Sequence, residues 1–368
     1  MRNRALGLSA LFVLSLVVTA CSGSSADIKK VGLVTDVGTL EDKSFNEASW
    51  NGAQAGAKDI GGTASNIVTK VPADYATNIK TFVDQGYGTI VTVGFAMGDA
   101  TVKAAKQYPK VKFIGVDQGV CINENAENDT TFACKGDPSK LLPNYQGLTF
   151  AEQQAGYLAG VAAASVSKTG VIGTVGGINT IPPVVRYIDG YRNGAASVNP
   201  NIKVLVQYVS TDITKAFNDP ATGKSIAQQM IQNKADVIFQ VAGLSGSGAI
   251  EAACAAPNTI GIGVDVDQSQ SLPNLKCILT SAEKKLANAV EQAIKNISAG
   301  TDKGGTTLWD ASTTPPGVGL SPFGGQYASL ITPDIQAKID AAFAGLKDKS
   351  IDPCAPIKCT DTSTSSGS

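Results

Sequence analysis

Two rounds of alternation between β-rich runs and helical patterns constrain this chain more than any other feature. In the first round the sequence predicts strands at Lys30–Thr35, Ala64–Thr69, Thr89–Val93 and Lys112–Val116. Helical patterns fill the gaps at Phe45–Ile60, Tyr75–Gln85 and Asp99–Gln107. Ser44 and Glu47 have the spacing of a capping box, and Gly86 ends the second helix. Parallel strands need crossover connections, so this order implies a mostly parallel sheet with helices on both faces.

After a polar loop at Gly119–Pro143, a strand at Tyr145–Phe150 leads into a small-residue helix at Glu152–Ser165. The alternation then restarts. Strands are expected at Gly170–Val175, Lys203–Val209, Asp236–Val241, Ile260–Val264 and Lys276–Thr280. The intervening helices are Val184–Ser197, Gly223–Asn233 and Ser247–Ala256, and a long amphipathic helix at Ala282–Ser298 follows. The fold class is therefore α/β, with two doubly wound parallel-sheet lobes. Ligands of such sheets sit beyond the carboxyl ends of the strands, and a hinge between two facing sheets closes one shared cleft.

Composition narrows the function. A length of 368 residues suits two domains, and 43% hydrophobic against 17% charged residues is enough to build two cores. The chain has no histidine, which excludes Ser-His-Asp catalysis and His-ligated metals. A net charge of −1 with interspersed signs lacks the basic footprint of a nucleic-acid binder.

The N-terminus reads as an export signal over residues 1–20: Arg2 and Arg4 precede the apolar run Ala5 to Val18. Val18-Thr19-Ala20-Cys21 resembles a bacterial lipobox, which makes Cys21 the expected acylated N-terminus, on a polar tether over residues 21–29. An ordinary cleavable signal with an accidental Cys is the alternative. Lipid chains would anchor the protein without spanning the membrane. Six further cysteines remain, an even number that suits disulfides in an exported chain. Their spacing favours Cys121–Cys134, Cys254–Cys277 and Cys354–Cys359, and a loose tail is expected from Asp352 to the end. No CxxC pattern supports a metal site.

Several polar residues fall at the strand ends: Asp36 and Asn46 after the first strand, Asp117 after the fourth, and Asp265 after its counterpart in the second round. Met97 follows the third strand, and Gly243 lies in a Gly-rich strand-to-helix loop. Lys284 is placed in the first turn of the long helix, and Phe217 stands in a polar loop. Each has a plain structural alternative as a turn residue, cap, surface lysine or local core plug. Their shared position at corresponding strand ends favours a binding cleft.

The run Val31–Asn46, with Asp42-Lys43-Ser44-Phe45-Asn46, resembles the opening signature of the basic membrane protein family, bacterial lipoproteins that bind nucleosides for ABC transporters. Further matches are collinear: Val93-Gly94-Phe95, Tyr157-Leu158-Ala159-Gly160, Phe217-Asn218-Asp219-Pro220-Ala221, Gly263-Val264-Asp265, and Thr280-Ser281 with Lys284. The resemblance implies a type I periplasmic-binding fold, with one lobe from 30–148 plus about 281–308 and the other from 149–280 plus about 309–351. It also implies that Phe45 and Phe217 sandwich a purine base while Asp36, Asn46 and Asp117 address its polar edge. Asp265, Lys284 and the Gly243 backbone would hold the ribose, with Met97 as a wall residue.

The chain departs from that family at Ala242-Gly243-Leu244-Ser245-Gly246, in the segment Gly119–Pro143, and in its cysteine couples. The implied partners are a nucleoside, a membrane permease and the lipid surface. Neither a cofactor nor an enzymatic activity is expected, and the chain is expected to act as a monomer. A surface lipoprotein that signals or adheres without transport is the alternative.

Overall fold

The computed structural model describes residues 26–359, and the export signal, Cys21 and residues 360–368 lie outside the described residues. The strands are β1 (Asp27–Val37), β2 (Thr63–Thr69), β3 (Tyr87–Val93), β4 (Lys112–Val116), β5 (Tyr145–Phe150), β6 (Val171–Gly176), β7 (Lys203–Tyr208), β8 (Val237–Val241), β9 (Ile260–Asp265), β10 (Ile278–Lys284), β11 (Gly305–Trp309) and β12 (Val318–Leu320). The first six helices are α1 (Phe45–Asp59), α2 (Tyr75–Asp84), α3 (Gly98–Gln107), α4 (Pro138–Leu141), α5 (Glu152–Val166) and α6 (Pro182–Val198). They are followed by α7 (Ile213–Ala216), α8 (Pro220–Gln232), α9 (Gly243–Ala255), α10 (Gln268–Ser271), α11 (Leu286–Ala299) and α12 (Pro333–Lys347).

The strands form two six-stranded sheets, ordered β11-β5-β4-β3-β1-β2 and β12-β10-β9-β8-β6-β7. The first is wholly parallel, and in the second only β12 runs antiparallel to its neighbour. The two orders are the same once counterparts are matched, so β4 corresponds to β9 and β5 to β10. Helices α1 and α11 pack together on one face of the first sheet, while α2 and α3 cover the other. Helices α5 with α6, and α8 with α9, cover the second sheet. The chain crosses between lobes three times: from β5 into α5, from β10 into α11, and from β11 to β12.

Small residues explain the tight α5–α6 contact. A Cβ added at Gly160 would lie 2.1 Å from the Tyr191 carbonyl oxygen, and one at Gly194 would lie 1.9 Å from that of Tyr157. Only glycine lets the two backbones meet there. The apolar helix then completes a core cluster that runs through both lobes, from Val31 and Leu33 to Val264 and Leu279.

The structure departs from the sequence expectation at three helix starts. The strand expected to stop at Thr280 continues to Lys284, and α11 starts only at Leu286. Ladder pairing explains the extension, since Ala282 faces Val264 of β9 on one side and Leu320 of β12 on the other. The capping box at Ser44 and Glu47 does not form; Asp42 takes the role, accepting the backbone N–H groups of Ser44, Asn46 and Glu47. The Gly-rich segment after β8 is the first turn of α9 rather than a loop before it.

All three expected disulfides are formed: Cys121–Cys134, Cys254–Cys277 and Cys354–Cys359. The segment beyond Asp352, expected to be loose, is tied down as far as Cys359. Asn193 of α6 donates to the carbonyls of Pro353 and Ile357 and accepts the Ile357 N–H. Among the described residues no helix is long and apolar enough to cross a membrane.

Candidate functional site

The carboxyl ends of both sheets border one interlobe cavity of about 680 Å³, mouth included. Asp117 and Asp265 reach it from counterpart strands. Both adopt left-handed backbone conformations, with φ of 58° and 64°, which turn each chain sharply off its strand. A glutamine beyond each turn is buried and hydrogen-bonded, with different partners. The Gln118 amide donates to the carbonyls of Thr92 and Gly94, while the Gln268 oxygen accepts the Val264 N–H and its amide donates to the Lys43 carbonyl.

Lys284 stands at the centre of the charged end. Its Nζ lies 2.5 Å from Asp117 Oδ2, 3.4 Å from Glu152 Oε1 and 3.9 Å from Asp265 Oδ1. Glu152 is completely buried and also accepts from Arg186 Nε at 2.8 Å. The ammonium lies over three rings, with Phe45 closest at 4.7 Å to the centroid, then Phe150 and Tyr187. Burial alone would pull Lys284 down, but attraction to Asp117, Glu152 and Asp265 prevails and raises it above the ordinary lysine value. Burial pushes the Asp117 carboxyl up to about 7 against the pull of Lys284, and raises Asp265 by the same cause.

Ser44, freed from its expected cap, donates across the cleft to Asp265 Oδ2 at 2.6 Å. Ser271 likewise donates to the Lys43 carbonyl at 3.0 Å. These bonds and the Lys284–Asp117 pair join the two lobes.

The first lobe supplies much of the remaining lining. Asp36, Asp42, Phe45, Asn46, Gly94 and Phe95 border the cavity from it. Asp42 holds the start of α1, and burial pushes its carboxyl up to about 7. Phe217 and Gly243 border the same cavity from the second lobe. Gly177 makes room for the Phe217 ring, since a Cβ there would lie 2.3 Å from it. Gly243 opens α9 with φ of 52°, bringing a helix N-terminus to the cavity without a side-chain cap.

Eight of the nine expected ligand residues therefore border one cavity: Asp36, Phe45, Asn46, Asp117, Phe217, Gly243, Asp265 and Lys284. Met97 does not; its side chain is fully buried in the cluster with Val34, Ile79 and Ile90 under the first sheet. Phe95 takes the place expected of it. Sequence reasoning missed Asp42, Tyr187 and the pair Glu152–Arg186. The signal for Glu152 was available, because an acidic residue at the start of a small-residue, apolar helix is costly to bury without cations. Among the described residues no cluster of His, Cys, Asp or Glu fits a metal ion.

A type of cleft shared by many proteins does not specify a family, but sequence comparisons do. Residues 29–326 match the family model Bmp, described as ABC transporter substrate-binding protein PnrA-like. The chain is 33% identical over 335 residues to the ABC transporter nucleoside-binding protein BmpA of Lactococcus lactis, covering 84% of this chain and 88% of that one. It is 33% identical over 303 residues to basic membrane protein A of Borreliella burgdorferi, covering 80% of each. An ABC transporter solute-binding protein from Aeropyrum pernix shares the fold at a TM-score of 0.74 and 24% identity, covering 88% of this chain and 92% of that one. On these matches, the chain belongs to the Bmp family of PnrA-like ABC transporter substrate-binding proteins.

Proposed function

We propose that this protein captures a purine nucleoside in the interlobe cleft and delivers it to an ABC permease, held at the extracytoplasmic membrane face by lipid on Cys21. The observation that carries the reading is that Phe45 and Phe217, half-buried rings from opposite lobes, border the same cavity. A nucleoside has an apolar base with two faces, a polar edge and a neutral diol. Stacking on such rings contributes about 1–3 kcal/mol per base in analogous sites.

Polar groups at the two ends of the cavity suit the rest of such a ligand. Asp36 and Asn46 border the end proposed for the base. Asp265, Lys284 and the Gly243 backbone are proposed to hold the ribose, where a carboxylate accepts from a cis-diol and the ammonium donates to it; Asp117, expected on the base edge, is paired with Lys284 Nζ and is proposed to accept from the ribose instead. Asp117 Oδ1 is buried with no hydrogen-bond partner among the described residues, as an atom waiting for a ligand hydroxyl would be. The Lactococcus lactis relative, a nucleoside-binding protein by name, supports the same ligand class.

The test is to purify the exported protein from its own cells and identify co-purified small molecules by mass spectrometry. A purine ribonucleoside is the expected species. A free sugar or amino acid in equimolar amount would overturn the reading. Metabolic labelling with a radioactive fatty acid should mark the wild type and spare Cys21→Ser.

A further inference from the structure

The two lobes also meet outside the ligand cavity. The Lys43 carbonyl, in the loop between β1 and α1, accepts from Gln268 Nε2 at 3.2 Å and from Ser271 Oγ at 3.0 Å, both on α10 of the second lobe. None of these three residues lines the ligand cavity. Lys43 and Ser271 border instead a separate groove of about 750 Å³, mouth included, together with Glu47, Asp267 and Gln270.

Both sides of this contact are held in place by their own lobe. Gln268 is fully buried, and its Oε1 accepts the Val264 N–H at 3.2 Å and the Gln240 amide at 2.6 Å. Two donors on that oxygen keep the amide from turning over, so its NH2 group faces Lys43. Gly263 leaves the room for it, since a Cβ there would lie 2.7 Å from Gln268 Oε1. In the first lobe, Glu47 Oε2 accepts the Lys43 N–H at 3.2 Å and Asp42 Oδ1 accepts the Ser44 N–H at 2.9 Å.

Lys43 itself has a left-handed φ of 58°, which a lysine keeps only where its surroundings over-determine the backbone. The peptide between Lys43 and Ser44 is therefore held at its N–H by one lobe and at its carbonyl by the other. Phe45, the next residue, opens α1 and borders the ligand cavity.

We propose that Gln268 and Ser271 are positioning residues: by clamping the Lys43 carbonyl they hold the lobes closed and Phe45 in place without touching the ligand, and so set how long a captured ligand stays. The proposal rests on the reading above in taking this cavity as the ligand's. Because the clamp is made by protein groups alone, it also acts on the unliganded chain, and opening the hinge breaks it.

Stopped-flow kinetics with adenosine on the full chain would test it. Ser271→Ala should raise the dissociation rate constant about two- to tenfold, as expected for one lost hydrogen bond, and leave the association rate constant nearly unchanged. Ser271→Thr, which keeps the hydroxyl, should restore the slow rate. Gln268→Glu, which keeps the acceptor oxygen and loses the donor, should act in the same direction as Ser271→Ala. A serine that only packed would lower the melting temperature and leave dissociation at the wild-type rate, and that result would overturn the proposal.

Small-angle scattering of the unliganded chains gives a readout that needs no ligand. Ser271→Ala should have a larger radius of gyration than the wild type. If the wild type fails to bind adenosine, the nucleoside reading falls and the radius decides the clamp: equal radii would overturn it.

Discussion

Lys284 Nζ lies 2.5 Å from Asp117 Oδ2, joining the end of β10 in one lobe to the end of β4 in the other. Its second partner, Glu152, begins α5 just after β5, the counterpart of β10 in the first sheet. The ion cluster therefore sits where the chain crosses between lobes. Two of the three crossovers thus bring a charged residue to this cluster, Lys284 in the cavity lining and Glu152 beside it. A ligand that contacts both lobes would favour closure through contacts that an open form lacks.

The cost of disturbing this cluster should be large and non-additive. Removing one member of a buried ion pair costs about 3–5 kcal/mol, because the remaining charges are left uncompensated. Lys284→Met should lower unfolding free energy by about that much in urea titrations. Adding Asp117→Asn to it should recover part of the loss. A double variant as destabilised as the sum of the singles would show that the pair is not coupled.

Stacking can be tested separately from charge. Phe45→Ala and Phe217→Ala should each weaken purine ribonucleoside binding by about 1–3 kcal/mol. Free ribose should bind poorly to the wild type and respond little to either change. Calorimetry that finds wild-type affinity in both variants would assign the rings to packing alone.

Stability should fall as pH rises through neutrality. Asp42 and Asp117 are pushed by burial from 3.8 to about 7, and Asp36 and Asp265 are raised by the same cause. A raised carboxyl binds its proton more tightly when folded. Its stabilising contribution is therefore complete below about pH 4 and is lost as pH climbs through about 7. The chain has no histidine to titrate over that window. Melting temperatures of the unliganded protein should decline from pH 5 to pH 8, and Asp42→Asn should flatten the decline. A melting temperature that rises over this range would contradict the burial argument.

The α/β architecture was legible because alternation fixes a parallel sheet before any contact is known, and Asp117 and Asp265 could be placed at strand ends for the same reason. Lys284 was assigned to a helix because its sequence carries a helical pattern; only pairing with β9 and β12, both distant in sequence, makes it the end of a strand. Ser44 had the right spacing for a capping box, but Asp42 offers two oxygens to the same N–H groups and frees Ser44 for Asp265. Met97 and Phe95 stand two residues apart on one short turn, and which of them faces the cavity depends on the backbone of that turn, which composition does not encode. Glu152 was passed over because its partners, Lys284 and Arg186, lie 132 and 34 residues away.

The central claim is that the cleft holds a neutral nucleoside rather than its parts or its phosphates. Four carboxylates line the cavity against the single ammonium of Lys284 among its lining residues. A phosphate brought beside those that are ionised meets like charge, which costs on the order of several kcal/mol. Native mass spectrometry of the protein incubated with equal amounts of adenosine, adenine, ribose and adenosine 5′-monophosphate tests this most directly. The account predicts one adenosine per chain and none of the other three in comparable amount; retention of ribose or the monophosphate in its place would contradict it.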